Sequence, residues 1–126
     1  MALKIHNVTV DCAKPRELAQ FWAAALDYQL AEWSDADGAA VSDPAGQGVR
    51  MLFMPVPEAK IVKNRFHLDI TPSETRQAEV ARLQSLGAQV VKEYDETTGP
   101  WTGKWTVMTD PEGNEFCVEP GPQDEE

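Results

Sequence analysis

The strongest constraint on this chain is that it is written twice. Asn7-Val8-Thr9-Val10-Asp11 and, 60 residues later, His67-Leu68-Asp69-Ile70-Thr71 share one alternation of polar and apolar positions. A period of two marks a strand with one buried face. The same offset lays Pro15-Arg16 on Thr75-Arg76 and Leu26-Asp27 on Leu86-Gly87, so each strand leads into a helical segment of similar length. A second pair, Asp43-Pro44-Ala45-Gly46 and Asp110-Pro111-Glu112-Gly113, stands before the last apolar run of each half, now 67 residues apart. In such a turn aspartate bonds its own backbone, proline presets φ and glycine supplies a positive φ. One copy marks only a turn; two at equivalent places mark a repeat, with the longer offset absorbed by a loop at Glu93 to Gly103.

Each half reads βαβββ. In the first, a helix from about Pro15 to Leu26 carries Leu18, Phe21, Trp22 and Ala25 at helical spacing, with proline in the first turn where its missing N–H costs nothing. In the second, Ser73 is the expected N-cap, Ala78, Val80, Ala81, Leu83 and Leu86 the apolar face, and Gly87 the left-handed stop. Strand-like runs follow: Tyr28 to Trp33, Ala39 to Ser42 and Val49 to Met54, then Gln89 to Tyr94, Trp105 to Thr109 and Glu115 to Val118. The expected organisation is one α+β domain over 1–120, with module one at about 1–55, a stiff Pro-containing connector at 56–63 and module two at about 64–120. The acidic segment 121–126 is expected to be too polar to order itself.

With 21 acidic against 11 basic residues, a formal charge of -10, the surface repels phosphate backbones and anionic membranes. Nucleic acid and membrane are therefore not expected partners. No run approaches the length of a membrane span and the start does not read as a secretion signal, which points to the cytoplasm. Cys12 and Cys117 form neither a disulfide framework nor a CxxC motif and are expected to be thiols.

Alternation puts Val8, Val10 and Cys12 under the first helix and turns Asn7, Thr9 and Asp11 to the other face; Leu68 and Ile70 likewise oppose His67, Asp69 and Thr71. If the sheets curl, the polar faces line a cleft where Asn7, Asp11, His67 and Asp69 meet; if they stay open, that face is merely wet. His6 falls on the helix side and is a poor ligand. Asp69 pairs either with His67 or, as an ordinary ion pair, near Asn64-Arg65. Cys117 shares a face with Glu115 and Glu119, as a small hydrophobe or as a thiolate. Trp33, Trp101 and Trp105 either frame an apolar pocket or sit in core and rim.

Taken together, His67-Leu68-Asp69, Leu86-Gly87-Ala88, Asp110 through Cys117, Asp11-Cys12-Ala13 and Leu18 through Trp22 resemble the vicinal-oxygen-chelate superfamily, in its glyoxalase-like branch. That superfamily includes glyoxalases, bleomycin-resistance proteins and extradiol dioxygenases. The resemblance spans nearly the whole chain. It implies two βαβββ modules forming a curved mixed sheet around a cavity, often completed in a homodimer, with a divalent metal held in the enzymes by first and last strands of each module. The ligand positions fall on Asn7, on Arg50 to Leu52, on His67 and on Cys117, so the usual metal set is incomplete. The expectation is a small organic molecule bound in the cavity without a cofactor, by Asn7, Asp11, Trp33, Trp101, Trp105 and Cys117, with His67 and Asp69 as the catalytic pair in case of turnover. The alternative is a metal-dependent lyase, isomerase or dioxygenase with a non-standard ligand set of His67, Cys117 and Glu119.

Overall fold

The computed structural model describes residues 2–124. The chain divides into two compact units, Met1–Lys60 and Ile61–Glu126, each an α+β module with one helix on one four-stranded mixed sheet.

In the first unit β1 (Val8–Cys12) is followed by α1 (Pro15–Leu26), β2 (Gln29–Leu30), β3 (Ala39–Ser42) and β4 (Met51–Pro55), and the sheet order is β1-β4-β3-β2. β1 runs parallel to β4, and the other pairs are antiparallel. The periodicity of α1 buries Leu18, Ala19, Phe21 and Trp22, and Phe21 meets Trp22 edge-on, centroids 5.2 Å apart. Beneath them lie Ala39, Val41, Met51 and Phe53. α1 ends on Asp27 at φ 56, a left-handed cap at the repeat position of Gly87. β2 is shorter than the expected run to Trp33 because the chain turns back at Ser34, whose N–H donates to the Ala31 carbonyl (3.1 Å).

The second unit repeats the plan: β5 (Asp69–Ile70), α2 (Arg76–Ser85), β6 (Gln89–Glu96), β7 (Gly103–Thr109) and β8 (Glu115–Val118), in the order β5-β8-β7-β6. Again the first and last strands pair in parallel, Asp69 beside Cys117 and Ile70 beside Val118. α2 begins later than Ser73 suggested. Thr75 is its N-cap, its hydroxyl accepting from the Ala78 N–H (3.1 Å). Its buried face is Val80 and Leu83, with Ala78 and Ala81 exposed, and it closes on Met108, Phe116 and Val118. The repeat extends to side chains at the helix starts. Arg16 donates to the Ser34 carbonyl (2.9 Å) and Arg76 to the Thr106 hydroxyl (2.7 Å), each tying its helix to its own module.

Both Asp-Pro-x-Gly segments form the turn their chemistry demands. Asp43 accepts from the N–H groups of Ala45, Gln47 and Gly48, while Asp110 accepts from those of Glu112 and Asn114; Gly46 and Gly113 take φ of 73 and 87. The acidic segment departs from expectation. Through Asp124 it folds onto the start of α2, where the Asp124 carboxylate accepts from the N–H groups of Arg76 and Gly121 (both 2.7 Å). Bonds to a helix N-terminus supply what burial could not; Glu125 and Glu126 lie outside the described residues.

Candidate functional site

Register decides which side chains of the second module meet. α2 covers the face of Thr106, Met108, Phe116 and Val118. On the other face, Asp69 on β5 is opposite Cys117 on β8, which is opposite Val107 on β7. One step along, Trp105 pairs with Tyr94 on β6. Cross-strand neighbours sit about 5 Å apart, close enough for side chains in each row to touch. This face lines an open pocket of about 570 Å³, a volume in the range of small-molecule sites.

One side of the pocket is polar. His67 Nδ1 lies 3.2 Å from Asp69 Oδ1 and 3.9 Å from Cys117 Sγ. The imidazole and Asp69 are partly exposed, and the sulfur is buried. Burial is the main cause of a Cys117 thiol pushed up to about 11, reinforced by the carboxylates of Asp69 and Glu119 and opposed by Lys63. The thiol is therefore protonated at neutral pH. Because both Asp69 and Cys117 face the same imidazole nitrogen, the three are not a nucleophile-base-orienter relay, which needs one partner on each ring nitrogen. With the proton on Nδ1 and donated to Asp69, Nε2 is the atom left to accept or deliver a proton.

Aromatic residues line the same pocket. Tyr94 and Trp105 stack at 5.0 Å with 8° between planes, and the Lys92 ammonium lies 4.6 Å over the Tyr94 ring. Trp101, 80% exposed on the loop between β6 and β7, completes that wall. Near His67 the entrance is tied down by Glu115, whose carboxylate accepts from the Asn64 N–H (2.9 Å).

Of the residues singled out from the sequence, His67, Asp69, Trp101, Trp105 and Cys117 line this one pocket, and Glu119 lies on its wall. Asp69 pairs with His67, while Asn64 engages Glu115. Asn7, Asp11 and Trp33 belong to the first module. Asn7 donates to the Thr9 hydroxyl (3.0 Å), Asp11 is exposed on β1, and Trp33 is exposed after β2. His6 is exposed ahead of β1. Sequence reading missed Tyr94 and Lys63. Tyr94 had a readable signal in the alternation of β6, but its stacking partner depends on a register that skips at a bulge between Val90 and Lys92. Lys63 sits in the connector and carried no signal.

Among the described residues, His67, Asp69 and Cys117 place one nitrogen, one oxygen and one sulfur within 4.8 Å of one another, a group that could hold a metal ion. Manganese and magnesium prefer oxygen-rich sets. A single carboxylate beside an imidazole and a protonated thiol does not fit them. No helix among the described residues is long and apolar enough to cross a membrane.

A family model described as a glyoxalase-like domain matches residues 7–119. No curated protein matches the chain in sequence. Solved structures do match in fold. A glyoxalase/bleomycin resistance protein/dioxygenase family enzyme from Burkholderia phytofirmans superposes with a TM-score of 0.70 at 17% identity, covering 92% of this chain and 97% of that one. A mutant of the fosfomycin resistance protein FosX from Listeria monocytogenes, complexed with Mn(II) and 1S,2S-dihydroxypropylphosphonic acid, gives 0.72 at 13% identity, covering 96% and 92%. FosX from Mesorhizobium loti gives 0.68 at 11%, covering 94% and 92%.

Proposed function

This chain belongs to the glyoxalase-like domain family of the vicinal-oxygen-chelate superfamily, and from that premise we propose that it binds a small organic molecule in the pocket of its second module without the manganese-type centre seen in the Listeria neighbour. One observation carries this reading: the aromatic side chains of Trp101 and Trp105 line the same pocket as the polar set His67, Asp69 and Cys117. A flat apolar surface gives a ligand most of its binding free energy, and a few polar groups opposite fix its orientation. In case of turnover, His67 moves the proton through Nε2 while Asp69 holds the ring. Cys117, protonated, serves as a wall and weak donor.

Thermal-shift screening of small aromatic compounds tests the proposal. Compounds that raise the melting temperature should lose that effect in Trp105→Ala and keep it in Trp33→Ala, with circular dichroism confirming that both variants fold. Stabilisation unaltered by Trp105→Ala would place the ligand elsewhere.

The His67, Asp69 and Cys117 cluster favours a second reading, a metal-dependent enzyme with a non-standard ligand set. Such nitrogen, oxygen and sulfur donors suit a borderline ion of the zinc class, which supplies Lewis acidity when bound. Zinc titration distinguishes the two readings: stoichiometric binding lost in both His67→Ala and Cys117→Ser supports the metal. Assembly as a homodimer is also proposed, supported by family membership and by exposed Ile61 and Phe66 ahead of β5, 88% and 96% accessible; light scattering decides it.

A further inference from the structure

The pocket walls differ in charge as well as polarity. On the β5 and β8 side stand the carboxylates of Asp69, Glu115 and Glu119, and Lys63 is the lining ammonium. Glu119 follows directly on β8, its N–H donates to the Ile70 carbonyl (2.8 Å), and it lines the same pocket as Trp105. A negative field therefore lies next to the indole wall. That wall already holds one cation: the Lys92 ammonium lies over the Tyr94 ring, against which Trp105 also stacks. With Tyr94 engaged by these two neighbours, a ligand's flat face is left to Trp105 and Trp101, both of which line the pocket.

We infer that the pocket takes a planar organic cation, an aromatic amine or amidine. Its ring lies on the Trp105 indole and its positive group is turned toward Asp69 and Glu119. This deepens the proposed small-molecule reading and rests on it. Aromatic faces and carboxylates both favour a positive charge held in a partly dry site, and the same arrangement disfavours an anion of equal shape. The formal charge of -10 acts in the same direction over longer range, concentrating cations near the surface.

The test uses four probes and calorimetric titration of the full chain: naphthylmethylamine, naphthylmethanol, naphthoic acid and hexylamine. The amine is expected to bind about tenfold tighter than the neutral alcohol, the acid weaker than either, and hexylamine, which lacks the ring, weaker than naphthylmethylamine. The preference for amine over alcohol should shrink at about 0.5 M salt. It should also fall below about threefold in Asp69→Asn combined with Glu119→Gln, whereas Trp105→Ala should weaken amine and alcohol alike. Equal affinity for amine and alcohol, or tighter binding of the acid, overturns the inference and leaves the small-molecule pocket standing. Binding of none of the four overturns both.

Discussion

Cys117 is the residue at which environment most alters chemistry. Its thiol is pushed from an ordinary 9.0 to about 11, first by burial and then by Asp69 and Glu119. Between these values the unfolded chain has lost the proton and the folded chain has kept it. Stability from this group is thus fully present below pH 9 and is lost as pH rises through 11. The denaturation midpoint should fall across that window in the native protein and fall less in Cys117→Ala, which is checked by urea melts at stepped pH. Alkylation by iodoacetamide near neutral pH should be slow in the folded protein and fast in the unfolded one. His67, Asp69 and Cys117 were legible as candidates because alternation and the repeat put them on one face. Their actual pairing was not, since a choice between Asp69 with His67 and Asp69 with the Asn64-Arg65 segment depends on a loop path that sequence does not encode locally.

Among the elements, the two helices show where the repeat is faithful and where it bends. Both carry in their first turn an arginine tied to its own module, and both are followed by a residue of positive φ, but the first half uses Asp27 where the second uses Gly87. A side chain at φ 56 is strained by about 1 kcal/mol. Asp27→Gly should therefore raise stability by part of that amount, as measured by chemical denaturation. At α2, Thr75→Ala removes the hydroxyl that accepts from Ala78 and should cost about 1 kcal/mol, whereas Ser73→Ala should cost little. Ser73 had the look of a cap because serine followed by glutamate is a common helix start. The end of the chain overrides this by bonding Asp124 to the Arg76 N–H and Gln123 to the Glu74 carbonyl. A contact across 48 residues cannot be read from a local pattern. The succession of elements was legible because each half carries the same run; the order of strands in each sheet and the bulge of β6 were not, since Val90, Val91 and Lys92 alternate too weakly to reveal the bulge.

On the scale of the whole molecule, the two halves share a plan and differ in chemistry. The second module gathers the histidine, the carboxylates and the aromatic wall into one pocket, whereas the corresponding strands of the first carry Asn7, Thr9 and Leu52. Ligand recognition is accordingly proposed for the second module. Amide NMR spectra of isotopically labelled protein, recorded while naphthylmethylamine is added, test this most directly. The largest shifts should fall on β5, β7 and β8 and on the indole N–H groups of Trp101 and Trp105, with His67→Ala altering the pattern there. Saturable shifts confined to the first module, or no shifts at millimolar probe, would contradict it.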